Sequence, residues 1–407
     1  MTTATDPQSL LLQLLDPATR ADPYPAYREI RSRGPLQLPE TNLTVFSSYS
    51  DCDEVLRHPS SCSDRAKSTI AQRHLAEESE PRPQGTSSFL FLDAPDHTRL
   101  RGLVSKAFVP RVIKALEPDI VELVGGLLDT VEQRGSFDVI NDLAYPLPVA
   151  VICRLLGVPI EDEPKFSHAS GLLAAALDPF LPLTGEMSDQ FDEQMKAGLW
   201  LRGYLRELIE DRRRAPGDDL MSGLIQVEES GDQLTEDEII ATCNLLLIAG
   251  HETTVNLIAN AILAMLRHPS QWAALGADDT RAAAVVEETM RYDPPVQLAS
   301  RIAGADMMIG DTAIPAGDTM MLLLAAAHRD PGVVERPDEF DPDRAAIRHL
   351  GFGKGPHFCL GAPLARLEGA VALSAVTSRF PQAMLAGEPE YKRNVTLRGM
   401  STFFVDI

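Results

Sequence analysis

Three short stretches of this chain hold residues whose types and spacing fit chemistry. In Gly351-Phe-Gly-Lys-Gly-Pro-His-Phe-Cys-Leu-Gly361, glycines punctuate a loop that presents Cys359 just ahead of a helix-forming run from Leu364 to Ser378. A thiolate there would be a metal ligand. Gly353, Gly355 and Gly361 permit positive φ and a close backbone approach to a flat ligand, against which Phe352 can lie. A helix starting near Pro363 would aim its free amides and positive dipole end at the sulfur, lowering its pKa. Taken alone, a single cysteine in such a loop is usually structural or a free thiol. The second stretch is Ala249-Gly-His-Glu-Thr-Thr254, inside a long apolar run. Ala249 and Gly250 are small enough to let another group approach, and Thr253 can bond back to the Ala249 carbonyl and open the helix locally. Glu252 beside it is costly in apolar surroundings unless it is used or satisfied. In isolation this stretch also reads as a satisfied threonine and a solvated glutamate. The third, Glu288-Thr-Met-Arg291, puts opposite charges on one helix face, which on an exposed surface contributes little.

Together these stretches resemble the cytochrome P-450 family. Phe352, Gly355, Cys359 and Gly361 meet its haem-binding signature F-x-x-G-x-x-x-C-x-G, and residues 249–254 are similar to its oxygen-activating motif A/G-G-x-D/E-T-T/S. Glu288 and Arg291 match its E-x-x-R pair, and Phe340-Asp-Pro-Asp-Arg344 resembles the stretch that supplies a third member. The resemblance runs from about Pro23 to the C-terminus. It implies haem b as cofactor, with Cys359 as the axial iron ligand whose electron donation favours O–O cleavage. Ala249, Phe352 and Gly361 would adjoin the haem, and His97, Arg101, Arg301 and His357 would hold its propionates, which need cationic partners. Thr253 would hold O2 and a water, Glu252 would relay protons from solvent, and Glu288, Arg291 and Arg344 would form a buried network bracing the loop. The implied fold is mainly α with a smaller β part. It is a single domain over 1–407, a triangular prism with haem between a long central helix and the helix of the cysteine loop.

The implied activity is that of a soluble bacterial-type monooxygenase using O2 and electrons from NAD(P)H. No strand-turn-helix G-x-G-x-x-G marks a nicotinamide or flavin site, so electrons would arrive through ferredoxin and ferredoxin reductase. A haem-dependent peroxygenase is one alternative, but such relatives lose the acid–alcohol pair that Glu252 and Thr253 retain. A noncatalytic haem or gas-binding protein gives no reason for that pair. A cysteine hydrolase would need His and Asn or Asp partners at a nucleophile elbow, and none is recognisable.

The elements that must position these groups follow from periodicity. A helix-rich core is expected over about 95–295 and 360–380, and strand-rich parts over 23–60, 296–330 and the C-terminal end. Asp22 to Ile30 reads as a short helix, Leu43 to Phe46 as a strand and Tyr49 to His58 as a helix. Further helices fit from Asp96 and over 111–133, 144–156, 160–176, 188–213 and 279–292. Thr235-Glu-Asp-Glu238 is a capping box opening the central helix, which Pro269 closes. Residues 63–91 are polar and aperiodic, and a loop of that length is usually functional or mobile.

Composition limits the partners. A net charge of −22 argues against nucleic-acid binding and for solubility. Five cysteines, an odd number without zinc-site spacing, suit a reducing cytoplasm. The apolar stretch Ile239 to Leu266 is interrupted by Asn244, His251, Glu252, Asn256 and Asn260, so it is expected as a buried helix, not an integral membrane segment. From His97 to Lys114 the chain carries Arg99, Arg101, Lys106, Arg111 and Lys114 without an acidic residue. With Lys354, this basic island would dock an acidic ferredoxin, unless it is an ordinary solvated face. Family analogy puts Phe89, Leu90, Leu172, Leu246, Val296 and Leu298 around the substrate. Such a pocket would favour bulky hydrophobic ligands of lipid, sterol, terpenoid or polyketide type, and azole inhibitors.

Overall fold

The central helix runs unbroken from Glu236 to Leu266 in a computed structural model that describes residues 6–77, 86–230 and 234–407. Its capping box forms as expected: the Glu238 amide donates to the Thr235 hydroxyl, and the Thr235 amide to the Glu238 carboxylate at 2.8 Å. At a rise of about 1.5 Å per residue it is about 46 Å long. It is apolar round its circumference, so it must be enclosed. Helices Pro146–Leu156, Phe191–Arg214, Ala282–Tyr292 and Ala362–Arg379 enclose it, and its most apolar window is 72% buried inside the protein. Gly250 sets one of these spacings. A Cβ there would stand 2.9 Å from the Ile152 side chain, so this glycine serves helix packing and leaves Ala249 as the small residue that faces away from it.

The strand-rich parts at the two ends of the chain meet in one five-stranded sheet. Its order is Leu36–Leu38, Leu43–Phe46, Thr319–Leu322, Ala299–Ala303 and Ser61–Cys62. Leu43–Phe46 runs parallel to Thr319–Leu322, with Leu43 opposite Thr319, and the remaining pairs are antiparallel. Register places Arg301 opposite Met320. A smaller sheet joins Ser136–Asp138 to Phe404–Asp406 and Met384–Leu385 at the far side of the helical core.

Several expected elements are divided differently. The 111–133 helix is two, Pro110–Ala115 and Glu117–Val131, because Pro118 suits a first helical turn and not an interior. A π-turn, Ile140–Ala144, precedes Pro146–Leu156. Short 3-10 turns open the helices Glu163–Ala175 and Ala282–Tyr292. Residues 63–91 are not all irregular. Thr69–Glu77 is helical, with Ile70 buried, and Phe89–Phe91 makes a 3-10 turn; 78–85 lie outside the described residues. Leu220–Glu229 was not expected, although Asp219, which accepts the Ser222 amide at 2.8 Å, is an ordinary N-cap.

One buried charge ties the N-terminal part to the helical core. Arg398 donates to Asp293 at 2.8 Å and to the carbonyls of Arg20 and Ala21, while the Tyr24 hydroxyl donates to the same carboxylate at 2.8 Å. Replacing Arg398 by Met leaves Asp293 buried without its cation. Removal of one partner from such a pair costs about 3–5 kcal/mol, so Arg398→Met is predicted to lower the urea midpoint accordingly.

Candidate active site

The cysteine loop is a series of tight turns closed by its own backbone. The Gly353 amide donates to Leu350 O at 2.7 Å and the Cys359 amide to Phe352 O at 2.7 Å. Gly353 and Gly355 adopt φ of +68° and +67°, and a Cβ at Gly355 would come within 2.7 Å of Leu56 O. Gly361 departs from expectation. Its φ of −81° is open to any residue, and a Cβ there would meet no protein atom within 4 Å. The helix Ala362–Arg379 starts next, with Pro363 in its first turn. The amides of Gly361 and Ala362 and the charges of Arg101 and Arg366 favour the thiolate, yet burial outweighs them and pushes the Cys359 thiol up. The expected lowering is therefore corrected. The helix end does not offset desolvation here, and a bound cation would favour the anion.

Two buried devices hold the loop's approach. Arg291 grips Glu288 through two bonds of 2.7 and 2.8 Å, with both side chains fully buried. Its remaining donors reach Pro337 O and Glu339 O, each at 2.8 Å. Arg344 adds a bond to Glu288 at 3.1 Å and another to Glu339 O, and the Asp341 amide donates to Glu288 at 2.8 Å. The irregular 335–344 stretch is thus pinned to a helix. Closer to the loop, the Leu350 amide donates to His328 Nε2 at 2.7 Å, which needs that imidazole neutral; burial lowers its pKa well below the ordinary value.

On the central helix, Thr253 donates to Ala249 O at 2.8 Å, four residues back, while the helix stays continuous. The local opening is not seen, because the hydroxyl shares the carbonyl and does not displace its backbone donor. Ala249 and Thr253 share a face. Glu252, about 100° round the helix, is buried and meets Lys392 Nζ at 3.0 Å. Lys392 is 30% exposed, so this pair connects the buried acid to the surface. His251 bonds Leu247 O and packs edge-on to Tyr145.

His97, Arg101, Arg301 and His357 come together from three elements, the helix Asp96–Val104, the strand Ala299–Ala303 and the turn Gly355–His357. The His97 and His357 rings lie 4.0 Å apart, and Arg101 donates to Phe358 O beside the cysteine. Burial, His97 and Arg301 together push His357 down to about 3. Asp93 is the only carboxylate acting against this among the described residues.

The sequence profile of the cytochrome P450 family matches residues 35–278 and 282–399. Vitamin D(3) 25-hydroxylase of Pseudonocardia autotrophica is 39% identical over 93% of this chain and 92% of that protein. The monooxygenase PikC of Streptomyces venezuelae is 38% identical over 98% and 94%. The crystal structure of Mycobacterium smegmatis CYP164A2 with econazole bound is 77% identical, covers 98% of this chain and 100% of that one, and superposes with a TM-score of 0.96. The chain belongs to the cytochrome P450 family. It is a haem monooxygenase by family, and the expectation of a mainly α fold with a smaller β part holds.

The residues of this P450 fit a haem on their own chemistry. His97 Nε2 is buried without a partner among the described residues, and it lies within a cationic cluster that is short of anions, as two propionates would require. Phe352 is buried behind the loop, flanked by Phe358 and by Arg366 over its ring. The residues expected around the substrate divide. Leu90, Leu172 and Val296 are partly exposed, whereas Phe89 and Leu246 pack into the main helical core. Leu298 is corrected: it is buried with Leu43, Met321 and Val395 on the strand side. Sequence reasoning missed Lys392, which lies 140 residues from Glu252 and carries no local signal. It also missed Glu368, buried on the cysteine helix, whose carboxyl burial pushes up to about 8. Removing Glu288 leaves two buried guanidiniums uncompensated, so Glu288→Ala is predicted to cost about 3–5 kcal/mol in denaturant unfolding, while the exposed pair Arg336–Glu339 is worth under about 1 kcal/mol.

Proposed function

We propose that Cys359 is the axial haem ligand and that the protein inserts one atom of O2 into a hydrophobic small molecule, with electrons from NAD(P)H through ferredoxin and ferredoxin reductase. Haem with a thiolate ligand supplies O2 binding and favours O–O cleavage. The protein supplies placement and protons. His97, Arg101, Arg301 and His357 hold the propionates, Ala249 keeps the adjacent helix face small, and Phe352 backs the loop. Thr253, whose hydroxyl hydrogen goes to Ala249 O, presents an oxygen that can accept a hydrogen bond beside the reacting site. Glu252 cannot share that face, so it takes protons from solvent on the Lys392 side and passes them round the helix by side-chain rotation or through water.

The observation that carries this reading is the retained acid–hydroxyl pair, with the acid tied to a partly exposed lysine. A peroxide-driven enzyme has no need of it. An apolar substrate is supported by relatives solved with testosterone and with myristic acid, and azole affinity by the econazole complex. The test is turnover with NADPH, ferredoxin, its reductase and isotopically labelled O2. One labelled oxygen in the product supports the proposal, and an unlabelled product overturns it. Thr253→Ala is predicted to bind substrate normally but to couple NADPH consumption to product about tenfold less well or worse.

The partner face we assign lies over the cysteine loop. A concavity of about 460 Å³ there is lined by Tyr49, Arg348, Lys354, Phe358 and Arg366, with Lys106, Arg111 and Lys114 exposed on a nearby turn and helix. Arg99, expected to dock, instead bonds Glu238 at 2.5 Å and braces the central helix cap. Lys354 is held by Asp53 at 2.7 Å. Reduction by an acidic ferredoxin is predicted to slow as salt rises and to fall in Lys106→Glu and Arg348→Glu. Rates indifferent to both would remove this face from consideration.

A further inference from the structure

After the edge strand Ser61–Cys62 the chain makes one 3-10 turn, Arg65–Lys67, opened by Asp64, whose carboxylate accepts the Ala66 amide at 3.0 Å. The turn is fixed from two sides. Asp93 accepts the Ser63 amide and Lys67 Nζ, each at 2.7 Å, which ties the turn to the segment following Phe89–Phe91. On the other side the Ser68 and Thr319 hydroxyls meet at 3.1 Å, and the Thr69 amide donates to Gly317 O at 2.9 Å. Lys67 therefore points to Asp93. Arg65 points elsewhere, with its guanidinium carbon 4.4 Å over the Phe91 ring. The Phe89–Phe91 turn packs on the central helix, and the Arg65–Lys67 turn packs on the strand that carries Arg301. Arg65 thus occupies the angle between haem-side strand, aromatic turn and central helix.

Its surroundings are unusual for an arginine. The side chain is accessible, yet burial alone brings its pKa down to about 10, and no carboxylate pairs with it among the described residues. The accessible guanidinium is held over the Phe91 ring, at the junction of the Arg301 strand and the turn that packs on the central helix. A guanidinium fixed over an aromatic ring is a planar fork with unused donors, suited to a carboxylate.

We propose that Arg65 recognises the anionic head of an amphipathic substrate, a long apolar molecule bearing one carboxylate, whose body lies along Phe91 and Leu90 toward Ala249 and Thr253. This rests on the haem monooxygenase reading and narrows its substrate class. The sequence alone offered no buried cation for such a group, because nothing near Arg65 in the chain distinguishes it from a surface arginine. The test is optical titration of the haem-loaded protein with tetradecanoic acid, with tetradecanol and with econazole. Arg65→Gln is expected to weaken the acid by about tenfold or more while leaving the alcohol and the azole unchanged, and Arg65→Lys to recover part of the loss. Equal weakening of acid and alcohol, no weakening of either, or loss of haem from the variant would overturn the anionic anchor. The azole reads the haem site itself. No azole response in the unaltered protein overturns the reading of the site, whereas an intact azole response without acid–alcohol discrimination overturns the Arg65 proposal alone.

Discussion

A sulfur atom whose charge is disfavoured by its own protein surroundings sets the terms for the rest of this molecule. Burial pushes the Cys359 thiol up against the combined effect of two amides and two arginines, so a cation beside it would favour the ligand-ready anion. Holding that sulfur in place demands a loop with little freedom. The left-handed glycines, the amide bond to Phe352 O and the anchoring of Leu350 by His328 supply the local part. Glu288, Arg291 and Arg344 supply the distant part, by satisfying the carbonyls of a stretch that forms no helix or strand.

Helical periodicity imposes a second constraint. Glu252 and Thr253 are neighbours in sequence, yet a residue step of about 100° separates their directions. The hydroxyl therefore shares the chamber face with Ala249, while the acid faces Lys392 and, through it, solvent. The acid and the hydroxyl thus open on different sides of the helix, an arrangement that suits the proposed delivery of protons from solvent. Charges are arranged with the same economy. Cations outnumber carboxylates where propionates would lie, and the paired ones, Arg99 and Lys354 among them, brace structure.

Much of this was legible in the sequence where a property is local. The capping box of the central helix, the cysteine turns and the i, i+3 pair of Glu288 and Arg291 depend on residues a few positions apart, and they form as their spacing implies. What the sequence hid is non-local or a matter of balance. Lys392 reaches Glu252 only after the C-terminal strands fold back, and Leu298 is drawn into the strand-side cluster by residues nearly three hundred positions earlier. The sign of the Cys359 shift was misread because desolvation depends on everything packed around the thiol, whereas the helix end was visible in the motif. The helix Thr69–Glu77 was missed because its polar sequence carries only a weak apolar stripe at Ile70.

The most direct test of the central claim is the absorption spectrum of the reduced, CO-bound protein beside that of Cys359→Ser. The account predicts the red-shifted ferrous–CO band of a thiolate-ligated haem in the unaltered protein, and a variant that retains haem but loses the band, since an oxygen ligand donates less electron density. An unaltered protein without the band, or a Cys359→Ser variant that keeps it, would contradict the assignment of Cys359 as the ligand on which the site is built.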